Sequence, residues 1–206
     1  MRVAYICADP GIPVFGTKGA SVHVQEVIKG MLQKGLDVTL FAQRLDGDVP
    51  EELKNIIIRR LDKLPKYSAE IRARAALDAN AKLVTMLEAE APFDMVYERY
   101  SLWSNAGMQF ANKHGCAGIL EVNAPLIEEQ KKHRELPLED EAQAIAESVF
   151  ADADAMIAVS PGVKQYLETF PKAQHHPSLR FQSVLPKELA MDRHQLRCSG
   201  MQHFVV

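Results

Sequence analysis

The sequence predicts a three-layer α/β domain built on a doubly wound, Rossmann-like parallel sheet. Three observations predict it: short apolar, partly β-branched runs recur along the chain, helical stripes separate them, and a glycine- and proline-rich loop follows the first run. Runs this apolar suit strands covered on both faces, and strand–helix alternation calls for right-handed parallel crossovers.

Arg2 to Ala8 reads as the first strand. The loop from Asp9 to Gly19 carries Pro10, Gly11, Pro13, Gly16 and Gly19, which excludes regular structure there. Ser21 stands where it can cap a helix running to about Lys34, with Val24, Val27, Ile28, Met31 and Leu32 on one stripe. Gly35 is placed as a C-terminal cap, and Asp37 to Ala42 returns as the second strand. Four further strands are expected at Asn55 to Arg59, Asp94 to Glu98, Gly118 to Val122 and Ala155 to Val159. A long helix from Ser68 to Ala91 turns Ile71, Ala75, Leu83, Met86 and Leu87 inward, and another from Leu102 to His114 is stopped by Gly115. A charged stretch from Glu128 leads into a helix ending near Ala151, and Ser160-Pro161 opens one more. From Gln174 to Val206 neither period is visible, and His175, His176, His194 and His203 there lack the spacing of a metal site.

Composition narrows the function. The chain is 47% hydrophobic and 25% charged, as an ordinary globular domain is, and its net charge of -3 with a pI near 6.2 leaves no basic surplus for nucleic acid. No apolar run approaches the roughly 20 residues that span a bilayer, and the short N-terminal run reads as a buried strand rather than a signal-peptide core. Cys7, Cys116 and Cys198 lack metal-ligand spacing and read as thiols in a reducing cytoplasm.

In such a sheet, ligands sit beyond the carboxyl ends of the strands where strand order reverses. The first loop places Gly16 and Gly19 just before a helix N-terminus, where close backbone amides and the helix dipole favour an anion; a plain turn is the alternative. Gly11 to Gly16 has Walker A glycine spacing, but Thr17-Lys18 reverses the required order, and the dinucleotide fingerprint is absent. The run Tyr97-Glu-Arg-Tyr-Ser-Leu-Trp103 gathers charge and rings at a strand end, which suits a polyhydroxylated ligand; a buried Glu98–Arg99 ion pair is the alternative. Asn123, Glu128, Glu129 and Gln130 follow the fifth strand, while Glu121 inside that apolar strand demands a partner. His23 reads as a structural or surface histidine rather than a base.

Four stretches then carry a resemblance: Gly16-Thr-Lys-Gly-Ala-Ser-Val-His23, Val96-Tyr-Glu-Arg-Tyr-Ser101, Glu121-Val-Asn-Ala-Pro-Leu126 and Ala151-Asp-Ala-Asp-Ala-Met-Ile-Ala-Val-Ser160. In this order and at these strand ends, the sequence resembles glycosyltransferase family 4, specifically its N-terminal domain, over about residues 1–172. The resemblance implies the N-terminal half of a GT-B fold and retaining transfer of a hexosyl group from a nucleotide sugar to a carbohydrate or lipid-linked acceptor. It implies no metal ion and no cofactor, and a place in the cytoplasm or peripheral to the inner face of the membrane. Gly16, Lys18 and Gly19 would bind the donor phosphate; Glu98, Arg99, Tyr100, Asn123 and Glu128 would line the acceptor side.

Residues 173–206 depart from that pattern, and the second domain's basic pair and Glu-x7-Glu motif are missing; Glu139 and Glu147 match the spacing by coincidence. The expectation is a truncated or frame-shifted product, or an isolated domain with appended residues, inactive or weakly active alone and self-associating through its exposed interdomain face. Two other readings stay open: a non-catalytic sugar- or phosphate-binding domain, and a nucleotide-binding oxidoreductase or hydrolase.

Overall fold

Strand and helix alternate through the computed structural model, which describes residues 1–174 and 179–181. The order is β1 (Arg2–Cys7), α1 (Gly19–Gln33), β2 (Asp37–Ala42), a short 3-10 turn (Glu51–Leu53), β3 (Ile57–Arg60), α2 (Ala69–Glu90), β4 (Met95–Arg99) and α3 (Ala106–His114). There follow β5 (Ala117–Val122), α4 (Leu126–His133), α5 (Glu139–Asp152), β6 (Ala155–Ala158), α6 (Pro161–Leu167), α7 (Pro171–Gln174) and β7 (Leu179–Phe181). All neighbours pair in parallel, in the order β3-β2-β1-β4-β5-β6-β7.

Side chains alternate across each strand, so one sheet feeds two cores. Val3, Tyr5 and Cys7 join Val24, Ile28 and Met31 of α1 on one face. Ala4 and Ile6 join Leu83 and Leu87 of α2, Phe110 of α3 and Phe150 of α5 on the other. These are the three layers that the sequence predicts.

The structure corrects several boundaries. Lys18, not Ser21, stands at the N-cap of α1, because the first turn closes when the Val22 amide donates to the Lys18 carbonyl at 2.9 Å. Helix α3 begins at Ala106 rather than Leu102, since its cap comes from α2: Asn80 Oδ1 accepts from the Asn105 and Ala106 amides at 3.0 and 3.2 Å. The charged stretch forms a helix of its own, α4, ahead of α5. Ile71 is 48% exposed rather than inward. A 22-residue helix is about 33 Å long, whereas strands of 4–6 residues reach at most about 20 Å. The first turns of α2 therefore overhang the sheet edge.

The tail holds one element that the sequence reading lacks. Strand β7 lies beside β6 with Leu179 opposite Met156, and three residues are too few to show a period. The four tail histidines, His175, His176, His194 and His203, lie outside the described residues.

The loop after β2 packs on the loop after β1 at a contact that only glycine allows. Gly47 has φ +116°, and a Cβ there would lie 1.8 Å from the Phe15 carbonyl oxygen. Gly47→Ala is therefore expected to cost at least about 2 kcal/mol in urea denaturation; a change within about 0.5 kcal/mol would contradict this packing.

Candidate functional site

Strand order reverses between β1 and β4, so the loops leaving β1, β4 and β5 meet at the carboxyl edge of the sheet. The first of these is the glycine loop. The Val14 and Phe15 amides donate to the carbonyls of Arg44 and Leu45 at 3.0 and 3.4 Å, tying the loop to the exit of β2. On its other side, buried Gln25 of α1 donates to the carbonyls of Val14 and Gly16 at 2.7 and 2.9 Å.

The two glycines serve different ends. A Cβ on Gly16 would press on the Pro13 carbonyl at 3.0 Å and on Ser21 Oγ at 3.1 Å, whereas a Cβ on Gly19 would meet nothing within 4 Å. Gly16 is needed for packing; Gly19 leaves the helix entrance open. Among the described residues, the amides of Thr17, Gly19, Ala20 and Ser21 donate no hydrogen bond. Ser21 is fully buried and its Oγ has no partner. No acidic residue occupies the first turn of α1, and exposed Lys18 stands at its cap. Together these make an exposed helix N-terminus of positive potential, called the hollow below.

Through His23, α1 reaches a buried ionic cluster centred on Glu121. Arg99 of β4 sits directly across the strand pair from Glu121 of β5. Glu121 Oε1 receives Arg99 at 3.0 Å, Asn123 Nδ2 at 2.5 Å and His23 Nε2 at 2.9 Å, and Oε2 receives the Tyr97 hydroxyl. Arg99 also donates to Asn123 Oδ1 at 2.5 Å. Burial by itself would push the Glu121 carboxyl up, but the His23 hydrogen bond and charge, Arg99 and Asn123 outweigh it and hold it down at about 2. Burial and the Glu121 charge push the Tyr97 phenol well above its ordinary range, so its proton stays in the hydrogen bond. His23 thus ties the first turns of α1 to β5, a contact spanning 98 residues.

Glu98 belongs to the opposite face. It is fully buried, accepts from Ser104 Oγ at 2.6 Å, and lies against the Gly107 and Met108 amides at the start of α3. A Cβ on Gly107 would stand 2.3 Å from Glu98 Oε2, so glycine makes room for the carboxyl group. Burial raises that carboxyl to about 7, with Ser104 and the two amides offsetting only part of the cost. Tyr100 is 3% exposed, its ring 5.3 Å from that of Phe150.

A cleft of about 600 Å³ opens beside the glycine loop, walled by its start at Asp9 to Ile12, by Leu102 and Trp103 after β4, by Arg72 on the overhanging turns of α2, and by α4. Apolar surface, a ring and mixed charges line it.

A family model described as Glycosyltransferase Family 4 matches residues 17–176, well over half of the chain. The chain belongs to glycosyltransferase family 4. Its fold is the N-terminal half of GT-B, and solved glycosyltransferases share it at low identity. A UDP-glucosyltransferase from Polygonum tinctorium superposes with a TM-score of 0.54 at 9% identity, over 90% of this chain and 52% of its own. UGT2 of Phytolacca americana, complexed with UDP-2fluoro-glucose and pterostilbene, gives 0.51 at 11% identity over 93% and 55%. The lipopolysaccharide outer core galactosyltransferase WaaB gives 0.51 at 16% identity over 87% and 44%. The chain spans about half the length of these structures. No curated protein matches it.

In this family 4 domain the expected site residues divide. Gly16, Lys18 and Gly19 stand at the N-terminus of α1, Gly16 packed and the other two exposed, and Arg99 and Asn123 meet in the Glu121 cluster. Glu98 and Tyr100 lie inside the core, and Glu128 is exposed on α4. The alternative of a Glu98–Arg99 ion pair fails because adjacent strand residues face opposite sides; Arg99 pairs with Glu121 instead. Sequence reasoning missed His23 and Gln25 as partners. The only signal for either was position, one and two turns into a helix that follows a glycine loop.

The two buried carboxyls respond to pH in opposite senses. Glu98 is raised from 4.5 to about 7, so the folded state holds its proton more tightly; the associated stability is complete below about 4.5 and is lost as pH rises through 7. Glu98→Gln removes this dependence. Between about pH 5 and pH 8 the unmodified domain is expected to lose on the order of 2–3 kcal/mol more than Glu98→Gln in urea denaturation; parallel curves would contradict the assignment.

Proposed function

We propose that this domain is the acceptor-side half of a retaining hexosyltransferase that uses a nucleotide sugar and a carbohydrate or lipid-linked acceptor. One observation carries the proposal: four unengaged amides at Thr17, Gly19, Ala20 and Ser21, beside Lys18, surround an open helix entrance at the strand-order reversal. As the bond from the anomeric carbon to the diphosphate breaks, negative charge grows on the leaving phosphate. Preorganised amides and the α1 dipole stabilise that charge without reorganising. Gly16, Lys18 and Gly19 form the donor-phosphate side, and no metal ion or other cofactor is needed in this scheme because amide donors and Lys18 supply the positive potential.

The acceptor takes the neighbouring cleft. Trp103 offers a ring face to a sugar, and charged side chains on α2 and α4 suit hydroxyl groups. Arg72, Glu129 and Gln130 line this cleft; Glu128 stands beside it on α4, Arg99 and Asn123 remain in the Glu121 cluster, and Glu98 and Tyr100 support it from the core. Transfer by the whole enzyme draws on a second domain for most of the nucleotide. The setting is the cytoplasm, or the inner face of the membrane. Free thiols at Cys7 and Cys116 support a reducing compartment. Among the described residues no helix is long and apolar enough to cross a membrane.

Gly19→Asp tests the hollow. Open space surrounds the site of the added side chain, and a carboxylate at a helix N-terminus suits the dipole, so the melting temperature is expected to hold within a few degrees. UDP raises the melting temperature of the unmodified domain, and the same carboxylate weakens UDP binding by calorimetry at least about tenfold. Equal UDP affinity in the two proteins would overturn the diphosphate reading.

A further inference from the structure

Gln25 lies in the second turn of α1 and is buried against the glycine loop. Its side-chain amide nitrogen has two hydrogens and spends them on two backbone carbonyls of the glycine loop, Val14 at 2.7 Å and Gly16 at 2.9 Å. Both bonds run between the side chain of α1 and the body of the loop.

Peptide planarity gives these bonds a consequence on the far side. In a trans peptide the carbonyl and the following amide point in opposite directions. Holding the Val14 carbonyl on Gln25 sends the Phe15 amide the other way, onto the Leu45 carbonyl. Holding the Gly16 carbonyl on Gln25 likewise sends the Thr17 amide away from α1's packed side, and that amide is unengaged. Without the Gln25 donors, the Gly16–Thr17 peptide turns over at low cost, because Gly16 lacks a Cβ to resist it. The turned peptide would aim a carbonyl oxygen where an anion is meant to sit.

We propose that Gln25 is a positioning residue for anion recognition. By fixing the Val14 and Gly16 carbonyls inward, it keeps the Thr17 amide directed into the hollow beside those of Gly19, Ala20 and Ser21. The inference rests on the diphosphate reading of the hollow and adds to it a residue that never contacts the ligand. Ser21 Oγ is buried without a partner, 3.1 Å from the Cβ position of Gly16, so the helix start keeps one further unengaged hydroxyl beside the loop.

The test uses the full chain, labelled with nitrogen-15 and titrated with inorganic pyrophosphate. The unmodified chain is expected to show amide shifts at Thr17, Gly19, Ala20 and Ser21. Gln25→Met keeps the length and burial of the side chain but has no donor. It is expected to bind pyrophosphate at least about tenfold more weakly, with the Thr17 amide no longer shifting. If the unmodified chain shows no shifts, the diphosphate reading fails and Gln25 falls with it. If Gln25→Met binds equally well and Thr17 still shifts, the positioning role alone is overturned. Should Gln25→Met fail to fold, the Gln25 side-chain amide of the unmodified chain decides: pyrophosphate is expected to slow its hydrogen exchange, and an unchanged rate overturns the proposal.

Discussion

The site depends on one buried charge. Glu121 stands within an apolar strand, 1% exposed, where an unpaired carboxylate would be prohibitive. It is tolerated because Arg99, His23, Asn123 and Tyr97 converge on it from β4, from α1 and from the strand's own end. Removing one member of such a set leaves the others buried without compensation, typically at about 3–5 kcal/mol. The strand ends and the glycine-loop helix are thereby fixed relative to one another, in a place where three loops would otherwise define the geometry.

The same arrangement sets the electrostatics at the start of α1. Two carboxyl groups lie close to the carboxyl edge of the sheet, and a negative charge on either would oppose an incoming anion. Glu121 is matched by Arg99 and bonded to His23; Glu98, on the other face, is raised to about 7 by burial and faces the positive end of α3. The amides at the start of α1 and Lys18 then face no acidic residue in the first turn of the helix. Gln25 and Gly47 act on the loop itself, one directing its carbonyls and the other admitting the loop that packs against it.

Much of the fold was legible because its signals are local. Apolar runs marked β1, β2, β4, β5 and β6, and the loop glycines marked the entrance to α1. Ser68 and Ser160 cap their helices as their positions suggest, at 3.3 and 3.2 Å. The need for a partner at Glu121 was also readable, from a charge inside an apolar strand. Asn123 is only two residues on, but Arg99, Tyr97 and His23 were not readable as partners, since they come from 22, 24 and 98 residues away. The start of α3 was misread for the same reason: its cap is Asn80, 25 residues upstream. Strand alternation, by contrast, already separates Glu98 from Arg99 and could have removed their ion pair. Glu98 and Tyr100 point into the core, and the side chains that reach the cleft are those past the strand end, Leu102 and Trp103.

The ionisation of Glu121 is the most direct check on this account. Its folded-state value lies below the ordinary 4.5, so the stability it confers is present above that pH and is lost as pH falls through about 2. Carbon-13 titration of the Glu121 carboxyl in the folded domain reads it without a mutation. The signal is expected to stay that of a carboxylate down to the acid limit of the fold, with the His23 ring nitrogen and the Arg99 guanidinium hydrogen-bonded throughout. A midpoint near 4.5, as for a solvent-exposed glutamate, would contradict it.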